Sequence, residues 1–416
     1  MTANAFAQRF SHDDEPAVPI GLASLAGWAF AGADLTPIGN RLVERVTANE
    51  QDAAGLMDLS TILQLLGSRD AGLAWQAQAL AVQRLYRRPP AVVSEHGIRL
   101  LAFLAPGDLM ANTPLEFLLE GSDVTLDMYY VVPGSPSAER IPDHELALVA
   151  VGESDPNQEV LRQIGDMIRS WPSPVLNAPE RIAALSREGA CSLLTSVPGL
   201  AVPTSARVGR DLLASVGQGK IALDAVLAEA AFPIIARPAG SHAGDGLHKL
   251  DDPAAIAKYL SERPEREFSV APFIDYRGPD GMFRKYRIAL VDGRPFACHM
   301  AVSEHWVIHY LNAGMRESES KRAEEARFMA NFDHDFARRH EGALRAICER
   351  VGLDYFAVDC GETADGRLLL FEVDVAMIVH SMDPPDLFPY KPLQMQKVRD
   401  AFRAMLGKKC ARAGAR

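Results

Sequence analysis

Apolar side chains recur at helical spacing through the first 95 residues of the chain. The clearest stretch is "DAAGLMDLSTILQLLGSRDAGLAWQAQALAVQRLY", whose period predicts two amphipathic helices joined at "LGSRD". The segment that follows, "RRPPAVVSEHG", has the composition of a linker. The pattern therefore predicts an all-helical N-terminal domain at residues 1–95.

The pattern changes over residues 97–176, where short apolar runs alternate with helical stretches. The runs are rich in β-branched or aromatic residues and end at Pro or Gly: "IRLLAFLAP", "VTLDMYYVV" and "ELALVAVG". Strands that alternate with helices indicate a parallel sheet of α/β type, which we place at residues 96–180. No G-x-G-x-x-G motif follows the first run, which excludes a dinucleotide-binding domain.

From about residue 180 to the end, hairpin patterns are mixed with helices. "KYRIALVDGRPFACHMAV" contains an Asp-Gly turn between two alternating strands, and "YFAVDCGETADGRLLLFEVDV" contains another. A long helical stretch separates the two hairpins. Residues 181–416 are therefore predicted to form an α+β domain with an antiparallel sheet.

The second hairpin carries three acidic residues on strands that are otherwise apolar. If Asp365 and Gly366 form a two-residue turn, Asp359 and Glu372 are equidistant from it and face each other. Asp374 then lies on the same face as Glu372. Opposed like charges destabilise a sheet, and an all-oxygen set favours Mg²⁺ or Mn²⁺ as the ion that offsets them. The alternative is a longer loop that shifts the register and leaves the acids solvated.

A glycine-rich loop lies in "FPIIARPAGSHAGDGLHKL", residues 232–250. It lacks the G-x-x-x-x-G-K-[ST] pattern of a phosphate loop that leads into a helix, and a short apolar alternation follows it. The pattern predicts a loop that joins two strands, with Arg237 just before it. Its backbone N–H groups could hold a triphosphate, although most glycine-rich turns are only turns.

Composition narrows the range of partners. The 416 residues include 43 Lys and Arg against 54 Asp and Glu, which gives a net charge of −11 and argues against non-specific binding to nucleic acid or anionic membranes. Five scattered cysteines and the lack of a signal-peptide pattern favour a reducing cytoplasm. The basic end, "KKCARAGAR", is interpreted as a solvated tail.

Taken together, these motifs resemble the ATP-grasp ligases, a family that includes glutathione synthetase and D-alanine–D-alanine ligase. The motifs are a cation ahead of a glycine loop, the strand "VAPFID", a strand with an inward Arg, and the acidic hairpin. The resemblance covers residues 97–406 and implies an α+β ATP-grasp fold, in which a pre-grasp α/β domain precedes a two-lobed grasp domain. It implies ATP and Mg²⁺ (or Mn²⁺) as cofactors.

The resemblance also implies roles for individual residues. Those expected to contact the nucleotide are Arg187, Arg237, Ser241, His242, Gly244, Ala271, Phe273 and Asp275. The catalytic residues are expected to be Arg287 and Arg237. The metal ligands are expected to be Asp359, Glu372 and Asp374. Substrate contacts are expected from Lys285, His309, Asn312 and His380. The sequence departs from the family where two nucleotide-binding lysines are Arg and the last metal-ligand Asn is Asp374, which keeps the charge but changes the geometry.

The expected activity is carboxylate–amine ligation through an acyl phosphate, with small-molecule or peptide substrates. The alternatives are an ATP-grasp phosphoryl transferase and a non-catalytic nucleotide-binding scaffold. The helical hairpin near the N-terminus weakly resembles a tetratricopeptide unit, which would suit a peptide or carrier-bound substrate. A homodimer interface is the alternative role for these helices.

Overall fold

The computed structural model describes residues 16–134, 141–228, 230–241 and 244–414. Four helices open the chain: α1 (Leu22–Phe30), α2 (Thr36–Ala48), α3 (Ala53–Leu65) and α4 (Arg69–Val82). The predicted hairpin at "LGSRD" is confirmed, since α3 ends just before this stretch and α4 begins within it. The Asp52 side chain caps α3 by accepting a hydrogen bond from the Gly55 N–H, and Gly67 takes a positive φ of 83° at the turn.

A five-stranded sheet follows, in the order β1-β3-β2-β4-β5. Its strands are β1 (Leu85–Arg88), β2 (Ile98–Leu104), β3 (Val124–Tyr130), β4 (Leu146–Val149) and β5 (Val175–Leu176). Strands β2 to β5 run parallel, which confirms the predicted α/β sheet. The helices here are α5 (Leu115–Leu118), α6 (Gln158–Ile168) and α7 (Pro179–Ala183). Strand β1 corrects the prediction of an all-helical segment, because it pairs antiparallel with β3 as an edge of this sheet.

The N-terminal helices share a hydrophobic core with this sheet. Leu25 and Ile62 of the helices, Leu100 and Leu126 of the sheet, and Phe402 near the C-terminus are buried in one cluster. Helix α3 is buried along most of its length. A boundary near residue 95 therefore passes through a shared core.

A smaller four-stranded lobe has its own core. Its strands are β7 (Ala206–Gly209), β8 (Ile234–Pro238), β9 (His248–Leu250) and β10 (Glu267–Pro272), in the order β7-β10-β8-β9. Helices α9 (Arg210–Gly217) and α10 (Pro253–Glu262) cover it. Strands β8 and β9 pair antiparallel, so the glycine-rich loop joins two strands as predicted.

The last sheet has the order β12-β11-β13-β14-β6. Its strands are β6 (Leu200–Ala201), β11 (Phe283–Val291), β12 (Arg294–Ser303), β13 (Tyr355–Glu362) and β14 (Leu368–Asp374). The helices around it are α8 (Arg187–Leu194), α11 (Glu319–Asn331), α12 (Phe336–Arg339), α13 (Glu341–Val351) and α14 (Lys391–Gly414). The α+β class with a helical N-terminal region is confirmed. The C-terminal segment is helical as far as Gly414, the end of α14, and within it Lys409 pairs with Asp354 while Arg412 is exposed.

The two Asp-Gly turns differ. The first is the predicted two-residue turn, in which Asp292 and Gly293 take φ values of 47° and 78° between the paired Val291 and Arg294. The second is longer than predicted, because Glu362 pairs with Leu368 across a five-residue loop. A bulge between Asp359 and Cys360 then shifts the register. Asp359 therefore still lies opposite Glu372, as predicted, although the turn alone does not set that pairing.

Within the described residues, no helix is both long enough and apolar enough to cross a membrane.

Candidate functional site

A cavity of about 770 Å³ lies between the small lobe and the last sheet. The small lobe contributes β8 and β10, and the last sheet contributes β11, β14 and the loop that follows β14. Helix α1 and the loop after β4 close the opposite side. The cavity therefore draws residues from the N-terminal helices as well as from both later sheets.

Two arginines from different elements converge at the glycine-rich loop. Arg187 is the first residue of α8, which Ser186 caps by accepting a hydrogen bond from the Gly189 N–H. Arg237 lies on β8. Both guanidinium groups donate to the carbonyl oxygen of Ser241, over 3.1 Å from Arg187 Nη2 and 2.5 Å from Arg237 Nη2, and Arg237 Nε donates to Ser241 Oγ.

The charge of Arg237 is poorly compensated. Burial, and then the charge of Arg187, lower the pKa of Arg237 to about 10. Glu372 offsets part of the positive charge of the two arginines, because its Oε1 lies 3.2 Å from Arg187 Nη2. Among the described residues, the two guanidinium groups contact only the Ser241 carbonyl and side chain and the Glu372 carboxylate, so they can bind a further anion.

Three glycines of the glycine-rich loop between β8 and β9 have positive φ angles. Gly240, Gly244 and Gly246 take φ values of 74°, 78° and 64°, a region that other residues rarely adopt. Gly244 lines the cavity. The predicted contact His242 lies outside the described residues.

Three further predicted nucleotide contacts lie on β10 and in the segment that follows it. Ala271 of β10 pairs with Ile235, and the Phe273 N–H donates to the Pro233 carbonyl. Ala271 and Phe273 line the cavity. Asp275 does not: it lies outside the lining, and its carboxylate binds the Arg277 guanidinium at 2.5 Å.

Two cations of β11 hold the Asp359 carboxylate. Arg287 Nε and Nη2 donate to the two Asp359 oxygens over 2.8 and 3.0 Å, and Lys285 Nζ lies 2.7 Å from Oδ2. Asp359 is buried, which alone would raise its pKa, but Arg287 and Lys285 hold that pKa well below its usual range. The contact between Arg287 and Asp359 follows from the strand register, because the two residues are paired across β11 and β13.

Glu372 and Asp374 form a second acidic pair on β14. Burial, and then the charge of Glu372, raise the pKa of Asp374 to about 7. Glu153, from the loop after β4, also lines the cavity, and burial raises its pKa. Among the described residues, Asp374 has no ion-pair partner, whereas Glu372 contacts Arg187 Nη2 over 3.2 Å.

The structure does not gather the three predicted metal ligands into one cluster. Among the described residues, no group of three His, Cys, Asp or Glu side chains is arranged to hold a metal ion. Asp359 is the residue that departs from the prediction, because its oxygens already bind Arg287 and Lys285. Glu372 and Asp374 do fit Mg²⁺, which is commonly held by one or two carboxylates while phosphates and waters complete its shell.

Three of the four predicted substrate contacts line the cavity: Lys285, His309 and His380. Burial lowers the pKa of His380 to about 4, and burial with the charge of Lys285 lowers the pKa of His309. Both imidazoles are therefore neutral at pH 7. Asn312 is exposed instead, and its side chain accepts a hydrogen bond from the His309 N–H in a short 3₁₀ turn.

Sequence reasoning missed a buried ionic network at the cavity wall. Lys391 Nζ lies 2.7 Å from Asp383 and 3.3 Å from Glu325, and it contacts the Tyr310 hydroxyl. Glu325 also accepts hydrogen bonds from the Tyr310 and Tyr390 hydroxyls. The signal in the sequence is weak, because these residues come from three separate segments.

His299 was also missed. It lies opposite Arg287 on β12 and lines the cavity. Its Nδ1 is shielded from solvent and has no hydrogen-bond partner among the described residues. Burial, and then the charge of Arg287, lower its pKa well below the usual value. Nothing in the alternation of β12 distinguishes this His from a core residue.

Comparison with known proteins gives structural likenesses only. No family model matches the chain. No curated protein matches its sequence. Three solved structures are similar over about three quarters of it. An ATP-grasp RimK-domain protein from Sphaerobacter thermophilus is 16% identical with a TM-score of 0.40, and the match covers 75% of this chain and 99% of that one.

The other two are ligases. The VanG D-Ala:D-Ser ligase from Enterococcus faecalis is 14% identical with a TM-score of 0.44, over 74% of this chain and 99% of that one. The D-alanine–D-alanine ligase from Coxiella burnetii is 11% identical with a TM-score of 0.46, over 76% of this chain and 97% of that one.

Proposed function

We propose that the chain is an ATP-grasp ligase that uses ATP and Mg²⁺ to join a carboxylate to an amine. The observation that carries this proposal is the order of charges along one cavity. Arg187 and the poorly compensated Arg237 lie at the glycine loop, the acids Glu372 and Asp374 lie on β14, and two cations held by Asp359 lie on β11. Phosphoryl transfer needs this combination of anion-binding and cation-binding groups.

The phosphates of ATP would bind at Arg187 and Arg237. Both arginines now donate to the Ser241 carbonyl, a weak acceptor that phosphate oxygens can replace. Backbone N–H groups of the glycine loop would then face the same phosphates. Adenine would lie against Ala271 and Phe273.

The carboxylate that is activated would bind near Arg287 and Lys285. Arg287 uses three N–H groups, two to Asp359 and one to the Ile378 carbonyl, and its remaining N–H groups can receive an anion. Asp359 keeps both cations in place. These cations would offset the negative charge of the carboxylate and of the phosphoryl group as they approach.

Mg²⁺ would be held by Glu372 and Asp374, where it supplies neutralisation of the phosphate charge. It would also remove the repulsion that now raises the pKa of Asp374.

Two steps follow from this arrangement. A carboxylate oxygen attacks the γ-phosphorus, the bond from that phosphorus to the β-phosphate oxygen breaks, and an acyl phosphate and ADP form. An amine then attacks the acyl carbon, phosphate leaves with the bonding pair, and a proton is released. The substrates remain a small-molecule or peptide acid and amine.

The test is an ADP-release assay on the purified chain with magnesium, ATP, and panels of carboxylates, including peptides. Hydroxylamine serves as a general amine, because it converts an acyl phosphate into a hydroxamate that mass spectrometry detects. Hydroxamate formed in equal amount to ADP supports the ligase. ADP with a stable phosphorylated product indicates a phosphoryl transferase, and nucleotide binding without ADP indicates a scaffold. Either of the last two results overturns the proposal.

A further inference from the structure

One end of the cavity is apolar and is built partly by the N-terminal helices. Its wall consists of side chains from α1, α5, the loop after β14 and the start of α14: Leu22, Ala26, Phe30, Phe117, Met377 and Met395. We refer to this end as the apolar chamber. Two of its six members are methionines, which adapt to bound groups of different shape.

The apolar chamber opens directly beside the two cations of β11. Arg287 Nη1 donates to the Ile378 carbonyl over 3.0 Å, which fixes the loop that carries Met377 and His380. The His380 ring lies 5.7 Å from the Phe30 ring and 6.2 Å from the Phe117 ring, between centroids. His380 is therefore the junction between the chamber and the charged part of the cavity.

The nucleotide does not account for this chamber. Its proposed contacts are Arg187, Arg237, Ala271, Phe273 and the glycine loop, and none of them belongs to the chamber. The chamber is formed instead by α1, α5, the loop after β14 and the start of α14. Apolar side chains that line a cavity next to an anion-binding pair favour a ligand with an acidic head and an apolar body.

We infer that the acid substrate carries an aliphatic or aromatic body, which the apolar chamber holds while its carboxylate reaches Arg287 and Lys285. This inference rests on the proposed function. A charged body is disfavoured beside Phe117 and Met395, because it would lose its hydration there. Beside Phe30, the Arg316 guanidinium lies 4.9 Å from the ring centroid.

The first experiment measures binding of straight-chain monocarboxylates from acetate to octanoate, and of 3-phenylpropionate, by calorimetry with magnesium and a non-hydrolysable ATP analogue. Each buried methylene contributes a roughly constant increment, so we expect affinity to rise about fourfold per added CH₂ until the chamber is full. A series that is flat, falls with length or shows no binding overturns the inference.

A variant locates the effect. Ala26→Leu adds bulk to the chamber wall, and we expect it to lower the ratio of octanoate affinity to acetate affinity about tenfold. Ser24→Leu is the matched control, because Ser24 is exposed on the same helix and outside the lining. An equal loss in both variants, or a loss in neither, contradicts the assignment. Melting temperature and nucleotide affinity show whether each variant remains folded.

Failure of this inference is distinguishable from failure of the ligase proposal. If affinity rises with chain length but no acid yields hydroxamate with hydroxylamine, the chamber is supported and the ligase is not. If hydroxamate forms only with short or charged acids, the ligase stands and the apolar body is wrong.

Discussion

Asp359 and Glu372 lie directly opposite each other on β13 and β14, yet their carboxylates bind different cations. Asp359 is held by Arg287 and Lys285 of β11, whereas Glu372 contacts Arg187 of α8. Asp359 is buried and Glu372 is partly exposed to the cavity. The two residues therefore have different expected effects on stability and activity.

Asp359→Asn should destabilise the protein strongly in the absence of metal. Removal of the carboxylate charge leaves Arg287 and Lys285, which are partly buried, without their counter-ion, and this costs about 3–5 kcal/mol of unfolding free energy. Urea unfolding of the metal-free protein measures this cost. Glu372→Gln is the matched comparison and should change stability by less than about 1 kcal/mol. Equal stability of Asp359→Asn and wild type would show that Asp359 does not hold the cations.

Glu372→Gln should instead remove activity. The proposed magnesium site loses one of two carboxylates, so we expect ADP formation to fall about a hundredfold or more. The melting temperature without metal should stay near that of wild type, because repulsion with Asp374 is relieved as the contact to Arg187 is weakened. The test measures ADP release and the calorimetric melting temperature on the same preparation of the variant and of the wild type. Normal turnover would exclude this site.

Asp58 should make stability depend on pH. It accepts hydrogen bonds from the N–H groups of Ile20 and Gly21 ahead of α1, and burial raises its pKa from its ordinary value to about 6. Because the folded-state pKa lies above the unfolded one, the folded state takes up the proton first, and this group's contribution to stability increases as pH falls through 6.

The variant Asp58→Asn isolates this contribution from the other acids. Its cost in unfolding free energy should be about 1.4 kcal/mol larger at about pH 5 than at about pH 7.5, because only the wild type gains the proton. Urea unfolding of both proteins at both pH values gives the difference. The same cost at both values would mean that Asp58 does not titrate in this range.

Lys391→Met should cost about 3–5 kcal/mol, since Glu325 and Asp383 would remain buried without their cation. Lys408→Met is the matched control: the pair of Lys408 with Asp292 is partly exposed, and its loss should cost less than about 1 kcal/mol. Denaturant unfolding separates the two. Similar costs would show that the buried network contributes no more than a surface pair.

The glycine loop should become protected when nucleotide binds. Ser241 exchanges its contacts with Arg187 and Arg237 for a position over the phosphates in the proposed complex. Hydrogen exchange at Gly240, Ser241 and Gly244 should slow on addition of magnesium and a non-hydrolysable ATP analogue, while helix α9 serves as the internal reference. Unchanged exchange, with binding confirmed by calorimetry, would argue against a phosphate role.

Deletion of residues 1–95 is not a clean test of the N-terminal helices. Leu85 and Tyr86 of β1 are buried, and Leu25 belongs to the core of the first sheet. Truncation would open that core, so point variants such as Ala26→Leu are needed to assign a role to α1.

The sequence by itself determined the local features of this protein. The spacing of apolar residues gave the helical hairpin, the parallel strands and the strand pair around the glycine loop. The Asp292-Gly293 turn followed from residues that tolerate positive φ. These features depend on a few neighbouring residues, whose backbone preferences and alternation of faces act at short range.

Only the tertiary structure decided which side chains meet across distant segments. Asp359 was expected beside a metal, but the order of strands places β11 next to β13, and so brings Arg287 and Lys285 to its carboxylate. In the same way, the tertiary fold places Phe30 of α1 within 5.7 Å of the His380 ring, in the loop after β14. Sheet order and helix packing follow from burial of whole surfaces, a property that no single stretch of the sequence contains.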